Sequence, residues 1–574
     1  MAPSQEDIDK LLATIPSQVR GVGGAVAVVQ DDGNVVSKRV WGFADLERGI
    51  PMQTTTQLPI CSISKHMLCL VIADLEKRPT ETMKASAREA GREKVDVWKL
   101  MDEELRRMLS HLFKPEVQQG SGEDRQLKIE DLFNMQSGIR DYWALTVLWG
   151  ARAEDPFSLL HDAPRALDRL KSFHFAPGTE FSYSNVNFHV LGRVVEETSG
   201  HSLGQLLAER VFIPAGMRTA ALSPNSMGLP LPIVGYEGSE RAGYVPAVNG
   251  IEWQGDAGVT ASLEDMVNYE RWLQRSWNLE ESPYRAIAGE AKFRNGEFAS
   301  YSHGLWHTET GGSKVLSHTG GLRGFRLRRL HVPEKGLSVV VLLNHETDPS
   351  ATSELILKPL LGLSSASDEQ SPAKTPAKEW EGDFFDREQQ RAVFVSLSEE
   401  KADQGKVLIN YSGGRAPEKL TLLDETHAES VNMSAHIEAE TDTLHLIRKT
   451  EGVDIHCRRL SQPSPTSTSP SSADYAGTYT WPEGDSTLTI HPAAPGETIM
   501  YASFSGFLGK GPVHLMRYVG EEVWILACPR SMDAPAPGEW TVVFRREGGK
   551  DDGKVKGVTV GCWLARRCEY VREE

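Results

Sequence analysis

The sequence has little cysteine. Its 574 residues include six cysteines, which are scattered along the chain without the spacing of a disulfide framework. This excludes a small secreted domain held by disulfides, and a reducing compartment is the simplest interpretation. Hydrophobic residues make up 40% of the chain and charged residues 25%, which is a globular composition and excludes wholesale disorder.

Long hydrophobic runs are also missing. The longest ones, near Gly21–Val29 and Ser338–Leu343, are far shorter than the roughly 20 residues that span a bilayer. The first ten residues contain no basic segment followed by an apolar one, so they predict no signal peptide. We therefore predict a soluble cytoplasmic protein without a membrane partner.

Positive charge and cofactor motifs are scarce as well. The chain has 62 Lys and Arg against 79 Asp and Glu, a net charge of −17, which argues against a nucleic-acid partner. It contains no His-Glu-x-x-His, no Cys-x-x-Cys, no P-loop and no Rossmann glycine motif, so we predict neither a metal nor a cofactor. His436, His445 and His456 lie in strand-like runs and are interpreted as ordinary barrel residues.

Two polar stretches predict the domain boundaries. Ser364–Lys378 contains two prolines, and Ser461–Ser472 is almost entirely Ser, Thr and Pro. Neither composition supports a packed core. The sequence therefore predicts three domains, which cover residues 1–363, 379–460 and 473–574.

The first domain mixes strands and helices. Gly24–Val29 and Val35–Trp41 predict a β-hairpin around a turn at Asp31–Gly33, and Gly324–Val332 and Gly336–Leu343 predict two late strands. Strands at both chain ends indicate an antiparallel sheet closed by its terminal strands. Helical periodicity lies between them, after Ser62 and at Val190–Thr198 and Leu203–Val211.

The two smaller domains resemble each other. Trp380–Phe384 and Tyr475–Tyr479 share an aromatic-x-Gly-x-aromatic pattern. Each is followed by short runs with strand-like alternation, including Lys406–Tyr411, Thr443–Arg448, Ser486–His491 and Glu539–Arg545. Such runs favour two small antiparallel barrels, with two unrelated β-sandwiches as the alternative.

The most informative motif is Ser62-x-x-Lys65, directly before an apolar helical pattern. A spacing of three places both side chains on one helix face. A serine hydroxyl is a poor nucleophile unless an adjacent base accepts its proton, and a lysine with a lowered pKa can be that base. Alone, the motif is weak, because most such pairs are exposed polar residues.

Two further motifs follow in the chain. Tyr183-x-Asn185 comes after a Pro-Gly turn, and a tyrosine hydroxyl can relay a proton while an asparagine can bind an amide. His318-Thr319-Gly320-Gly321 ends an apolar stretch. Glycine there lets a substrate approach the backbone closely, and a backbone N–H can serve an oxyanion hole.

These three motifs, in this order and spacing, resemble the signature elements of the serine β-lactamase and penicillin-binding protein superfamily. The resemblance implies an α+β protein with a β-lactamase-like catalytic domain, an antiparallel sheet plus a helical region, followed by two small antiparallel β-barrels. Within the superfamily, further segments are similar to the D-stereospecific aminopeptidase family. These segments are Ala44–Asp45, Arg140–Trp143, Gly506–Lys510, Arg530–Pro535 and Gly561–Arg566.

The resemblance implies roles for individual residues. Ser62 is expected to be the nucleophile, Lys65 its general base and Tyr183 a proton relay to the leaving amine. His318 stands where many relatives have lysine.

It also implies substrate-binding roles. The backbone N–H groups of Ser62 and Gly321 are expected to form the oxyanion hole, and Asn185 to orient the acyl group. Asp533, in the specificity loop 529–539, is expected to pair with the substrate's α-ammonium group. From the residues alone, an exposed turn residue is the favoured interpretation of Asp533, and only the match along the whole loop favours the substrate-binding role.

The function implied is a serine hydrolase that releases N-terminal D-amino acids from peptides, amides or esters. Its partners would be substrates with a free N-terminal D-residue, with β-lactams as inhibitors, and the resemblance suggests a homodimer. The alternatives are a β-lactamase-like esterase or D-amino-acid amidase, and a non-catalytic penicillin-recognising binding module. The chain departs from the family at the insertions Lys77–Val95 and Gln118–Asp124, which we expect to affect surface or association.

Overall fold

The computed structural model describes residues 3–30, 33–117, 126–363, 376–398, 405–411, 417–461, 472–492, 499–528, 531–533, 540–549 and 553–574. The chain divides into two compact units. The first unit comprises Met1–Ser137, Glu154–Ala163 and Asn185–Ser367. The second unit comprises Gly138–Ala153, Pro164–Ser184 and Asp368–Glu574.

The helices are concentrated in the first 360 residues. They are α1 (Gln5–Gln18), α2 (Ser64–Lys77), α3 (Glu81–Glu89), α4 (Val97–Met108), α5 (Ile129–Phe133), α6 (Tyr142–Leu148), α7 (Asp162–Leu167), α8 (Asn185–Ser199), α9 (Leu203–Leu207), α10 (Ile213–Ala215), α11 (Leu263–Trp277), α12 (Pro283–Ile287), α13 (Pro349–Leu360) and α14 (Ser472–Tyr475). No helix among the described residues is both long enough and apolar enough to cross a membrane.

The strands of the first unit form one large antiparallel sheet and three small ones. They are β1 (Gly23–Gln30), β2 (Val35–Asp45), β3 (Ile50–Pro51), β4 (Gln57–Pro59), β5 (Ala221–Leu222), β6 (Tyr236–Ser239), β7 (Gly243–Pro246), β8 (Val259–Ser262), β9 (Ala291–Lys292), β10 (Phe298–Ala299), β11 (Tyr301–Ser302), β12 (Leu305–Thr310), β13 (Ser313–Leu322), β14 (Phe325–Val332) and β15 (Leu337–Leu343). The large sheet has the order β11-β12-β13-β14-β15-β1-β2-β3.

This order confirms an antiparallel sheet in which strands from the two ends of the domain are neighbours, although the sheet is open, with β11 and β3 at its edges. Strand β1 pairs with β2 from Gly23↔Gly42 onward and with the late strand β15, where Gly24 faces Leu343. The predicted hairpin is therefore present, while Asp31 and Asp32 of its turn lie outside the described residues.

Helices cover both faces of the sheet. On one face, Ile8 and Leu12 of α1 and Ile356 of α13 pack in an apolar cluster with Val26 and Val28 of β1. On the other face, the Gln274 side chain of α11 donates to the Val29 carbonyl at 2.9 Å. Both faces of β1 are thus buried, which explains its uninterrupted apolar sequence.

The helical region is built around α2. Every residue from Ser64 to Leu75 is buried, as expected for a helix that neighbours surround on all sides. The polar tract 77–95 contains α3, which begins at the N-cap Thr80 and buries Met83 and Ala87. The other insertion, Gln118–Asp124, lies entirely outside the described residues, as do most residues of both linkers.

The second unit contains two closed antiparallel barrels, which confirms the predicted fold class. The first barrel consists of β16 (Gly382–Asp386), β17 (Arg391–Leu397), β18 (Lys406–Asn410), β19 (Glu418–Leu422), β20 (His427–Glu429), β21 (Met433–Glu438), β22 (Thr443–Arg448) and β23 (Val453–Arg459). The second consists of β24 (Gly477–Trp481), β25 (Ser486–His491), β26 (Met500–Gly506), β27 (Gly509–Gly520), β28 (Val523–Leu526), β29 (Trp540–Arg546), β30 (Val555–Cys562) and β31 (Ala565–Arg572).

The barrels repeat one local structure where each begins. The glycine of the aromatic-x-Gly-x-aromatic pattern opens the first strand in both, with φ of +155° at Gly382 and +148° at Gly477. An arginine of the closing strand lies beside each glycine, Arg459 in the first barrel and Arg572 in the second. The shared pattern therefore corresponds to a shared position in the two folds.

Two segments from the first 200 residues pack with the barrels. Residues 138–153 and 164–184 belong to the second unit. Arg140 donates from Nε to the Arg566 carbonyl at 2.7 Å, and the Trp149 indole donates to the Gly484 carbonyl at 2.9 Å. Both segments lie inside the predicted first domain, so linker composition alone did not predict that they pack with the barrels. The predicted boundaries at residues 363, 379, 460 and 473 stay predictions.

Candidate active site

Ser62 lies in a tight 3-10 turn, Cys61–Ile63, that leads directly into α2. Cys61 has φ +52°, a left-handed conformation that a residue with a side chain rarely adopts. Such strain persists only where the surrounding structure imposes it. Here the Ile60 N–H donates to the Val259 carbonyl at 2.9 Å, which ties the turn to β8. The turn therefore presents a half-exposed Ser62 on a rigid support.

Lys65 follows one helical turn later and is completely buried. Its Nζ donates to Ser62 Oγ at 2.9 Å, to Asn185 Oδ1 at 2.8 Å and to the Asp256 carbonyl at 2.6 Å. A lysine ammonium has three N–H donors, so these three acceptors match it. The ring of Phe188 lies 5.7 Å from Nζ and makes this part of the site apolar.

This arrangement can transfer a proton. In the neutral amine, the two N–H groups can stay on Asn185 Oδ1 and the Asp256 carbonyl. The lone pair of Nζ then points at the third partner, the Ser62 hydroxyl, and is placed to accept its proton. The geometry thus suits Lys65 as a general base and Ser62 as a nucleophile.

Helix α8 positions two of the three partners of Lys65, Asn185 and the Asp256 carbonyl. Asn185 is the first residue of that helix and is buried. Asp256 follows Gly255, which has φ +86°. A side chain on Gly255 would collide with the Phe188 carbonyl of α8, so only glycine lets this turn come so close. The Asp256 carbonyl is a site group that the sequence analysis missed, and the glycine turn is the signal that points to it.

His318 lies in the middle of β13 and is buried. Its Nδ1 lies 2.6 Å from the Thr319 carbonyl, and its Nε2 lies 3.0 Å from the Tyr301 hydroxyl. Burial, together with the positive charge of Lys65, lowers the pKa of His318 to about 3. The imidazole is therefore neutral at physiological pH. Tyr301 is a second residue that the sequence analysis missed.

Strand β13 passes close to the Cys61–Ile63 turn at Gly320. A Cβ on Gly320 would lie 2.5 Å from the Ile60 carbonyl oxygen and 3.2 Å from Cys61 Cβ. Glycine is therefore required for this approach. Gly321 follows directly and pairs with Arg326 of β14. The predicted oxyanion donor thus lies on the strand that borders Ser62.

Tyr183 and Asp533 belong to the second unit. Tyr183 is half-buried and precedes α8 by two residues. Asp533 is also half-buried, and its Oδ1 accepts a hydrogen bond from the Ser531 hydroxyl at 2.7 Å. The remaining residues of the loop, 529–530 and 534–539, lie outside the described residues. The roles of Tyr183 and Asp533 stay predictions.

The structure brings Ser62, Lys65 and Asn185 together by direct hydrogen bonds, and His318 and Gly321 lie on the adjacent strand. Within the part of the chain that the structure describes, no group of three or more His, Cys, Asp or Glu side chains is arranged to hold a metal.

Two family models match the chain. Residues 8–361 match the family "Beta-lactamase", and residues 373–571 match "D-aminopeptidase, domain B". A D-aminopeptidase from Cereibacter sphaeroides (strain KD131) is 38% identical over 565 residues, which is 98% of each chain. A D-aminopeptidase from Brucella anthropi has the same identity and coverage.

Among solved structures, one titled "Crystal structure of SurE" superimposes with a TM-score of 0.51 at 18% sequence identity. The match covers 79% of this chain and 99% of that one. At this identity the similarity concerns the fold alone.

Proposed function

This chain belongs to the D-aminopeptidase family, and on that premise we propose that it is a serine hydrolase acting on D-amino-acid substrates, which releases the N-terminal residue of peptides, amides or esters. One observation carries the proposal: Lys65 Nζ lies 2.9 Å from Ser62 Oγ, with its two other partners supplied by Asn185 and Asp256.

The first half-reaction forms an acyl-enzyme. Ser62 Oγ attacks the carbonyl carbon of the substrate while its proton passes to neutral Lys65. The C–N or C–O bond to the leaving group then breaks, and the leaving group takes up a proton, for which we propose Tyr183 as the relay. In the second half-reaction, water attacks the ester carbonyl, releases the D-amino acid and returns the proton to Ser62.

We propose the Ser62 and Gly321 N–H groups as the oxyanion hole. The close approach of β13 to the turn at Ile60 and Cys61 supports this assignment. Two backbone donors aimed at the developing negative charge contribute strongly, since loss of one such donor costs about 3–4 kcal/mol in other hydrolases. Asn185 is proposed to orient the acyl group.

Asp533 is proposed to bind the α-ammonium group of the substrate. Replacing Asp533 by Ala should raise KM for D-Ala p-nitroanilide about 10- to 100-fold, because a hydrogen bond to a charged group is lost. The N-acetylated substrate carries no ammonium group and serves as the control. Equal losses for both substrates would show that the loop acts in another way.

Hydrolysis of D- and L-Ala p-nitroanilide tests the proposed activity directly. We expect turnover of the D-isomer, far slower turnover of the L-isomer, and a loss of activity on the order of 10⁴-fold or more in Ser62→Ala. Equal rates for the two isomers, or activity that survives Ser62→Ala, would contradict the proposal. Mass spectrometry of the trapped acyl-enzyme should place the added mass on Ser62.

We extend the proposal to inhibitors, assembly and compartment. A β-lactam should acylate Ser62, which intact-protein mass spectrometry can detect, and native mass spectrometry should find a homodimer. All six cysteines are buried, and we propose a reducing, cytoplasmic compartment for the protein.

A further inference from the structure

The two ring nitrogens of His318 face different kinds of hydrogen-bond partner. Nδ1 lies 2.6 Å from the backbone carbonyl of Thr319, and Nε2 lies 3.0 Å from the Tyr301 hydroxyl. A carbonyl oxygen can only accept, so Nδ1 carries the hydrogen and donates it. In a neutral imidazole the other nitrogen is then an acceptor, and the Tyr301 O–H donates to it. Together the two contacts select one tautomer.

Charged and titratable groups surround this imidazole. Lys65 and His66 face it from α2, and Arg329 lies opposite it on β14, paired with Glu270 of α11. The positive charges of Lys65 and Arg329 both disfavour a protonated His318. His66 is itself buried, and burial lowers its pKa, so it adds no charge.

The protonation state of His318 matters for the proton transfer at Ser62. When Lys65 accepts the Ser62 proton, a positive charge forms on Nζ inside a buried site. A neutral His318 does not oppose that charge, whereas an imidazolium would repel it and raise the barrier. The site therefore needs His318 to stay neutral over the pH range in which the enzyme works.

We propose that Tyr301 is a positioning residue of this site, whose hydroxyl donates to Nε2 and holds His318 as the neutral Nδ1–H tautomer beside Lys65. The kinetic part of this inference rests on the proposed function. The tautomer and its dependence on Tyr301 do not.

The first test compares Tyr301→Phe with a matched variant, Tyr284→Phe. The Tyr284 hydroxyl lies 2.8 Å from Nδ1 of His331. Tyr284→Phe therefore also removes a buried hydroxyl that bonds a histidine, but His331 has no part in the proposed proton transfer. In Tyr301→Phe, Nε2 loses its donor and can take up a proton. We expect the acid limb of the kcat profile to move up by about one pH unit, with KM for D-Ala p-nitroanilide changed less than about threefold.

Tyr284→Phe should keep the wild-type pH profile, even if its melting temperature falls. If Tyr301→Phe lowers kcat by the same factor at every pH, or if Tyr284→Phe moves the acid limb equally, Tyr301 has only a structural role and the proposal is wrong.

The second test needs no turnover. In protein labelled with ¹⁵N-histidine, the resonance that disappears in His318→Gln identifies His318. We expect wild-type His318 to be the neutral Nδ1–H form from pH 8 down to pH 5, and its protonation midpoint to rise by more than about one unit in Tyr301→Phe. A wild-type Nε2–H tautomer, or an imidazolium at pH 6, would overturn the inference without any variant. If no D-aminoacyl substrate is hydrolysed, the proposed function fails, while this measurement still decides the role of Tyr301.

Discussion

Arg329 and Glu270 form an ion pair in which neither side chain is exposed to solvent. Two parallel hydrogen bonds join them, Nε to Oε1 at 2.7 Å and Nη2 to Oε2 at 2.6 Å. The pair connects β14 to α11, and Arg329 lies opposite His318 in the sheet register. Burial makes each partner depend on the other, because a lone buried charge has no water to solvate it.

The first prediction concerns this pair. Glu270→Gln leaves the Arg329 guanidinium buried without a counter-charge, which should lower the free energy of unfolding by about 3–5 kcal/mol. Urea denaturation followed by tryptophan fluorescence measures it. The exposed pair Arg20–Glu240 supplies the control, since Glu240→Gln should leave the unfolding midpoint unchanged. A loss below about 1 kcal/mol in Glu270→Gln would contradict the dependence inferred for the pair.

The second prediction concerns Arg391, a buried arginine in the first barrel. Its Nε and Nη1 have no hydrogen-bond partner among the described residues. Burial and the positive charges of Arg566 and Arg448 lower its pKa well below the usual arginine range. Arg448, by contrast, donates to both carboxylate oxygens of Glu451, at 3.1 and 2.8 Å.

We therefore expect opposite outcomes from two identical substitutions. Arg391→Met should leave the free energy of unfolding unchanged or raise it by about 1 kcal/mol or more, because an unpaired buried charge is replaced by an apolar side chain. Arg448→Met should lower it by about 3 kcal/mol, because Glu451 loses its partner. If Arg391→Met proves the more destabilising of the two, the inference that burial of the Arg391 charge is unfavourable is wrong.

The third prediction concerns pH. His345 is completely buried, and its two ring nitrogens have no hydrogen-bond partner within the described ranges. Burial lowers the pKa of His345 from 6.5 to about 4. Because the folded pKa lies below the unfolded one, the unfolded chain binds more protons between these values. The contribution of neutral His345 to the free energy of unfolding is therefore fully present above about pH 6.5 and is lost as the pH falls towards 4.

A substitution isolates this contribution. His345→Leu removes the titration. The free energy of unfolding of wild type, relative to that of the variant, should therefore fall by about 3 kcal/mol from pH 7 to pH 4. Urea denaturation at pH 7, 6, 5 and 4 measures the slope. His161 is exposed, and His161→Leu is the control that should leave the slope as it is. Parallel curves for wild type and His345→Leu would show that the pKa of His345 is the same in the folded and unfolded states, which would contradict the prediction.

Local patterns predicted much of the fold and the centre of the site. The Ser62-x-x-Lys65 spacing lies within one helical turn, so the 2.9 Å contact follows from helix geometry. The hairpin β1–β2 and the late strands β14 and β15 follow from alternation and turn residues in the same way. These are features in which sequence distance and spatial distance are both short.

Contacts between distant segments could not be read in this way. Tyr301 reaches His318 because β11, β12 and β13 fold back on one another, and an isolated tyrosine in a polar segment carries no sign of that. The Asp256 carbonyl is a backbone group, so the identity of residue 256 does not predict its role, and the only sequence signal is the neighbouring Gly255. Residues 164–184 pack with the barrels through contacts that span hundreds of residues, which a boundary drawn from linker composition does not register.

The last prediction tests whether β13 must lie against the Cys61–Ile63 turn. In Gly320→Ala the new Cβ would lie 2.5 Å from the Ile60 carbonyl oxygen, and backbone on both sides prevents an easy adjustment. The strand would have to move away from Ser62 and carry the Gly321 N–H with it. A shift of about 1 Å in a catalytic group costs on the order of 100-fold, so kcat/KM for D-Ala p-nitroanilide should fall by about that factor.

Gly321→Ala is the matched comparison, because a Cβ there has Arg326 Nη1 as its nearest neighbour, at 3.9 Å, and the N–H stays in place. It should lose far less activity. Similar losses in the two variants, at similar melting temperatures, would mean that the approach of β13 at Gly320 does not position the proposed oxyanion donors.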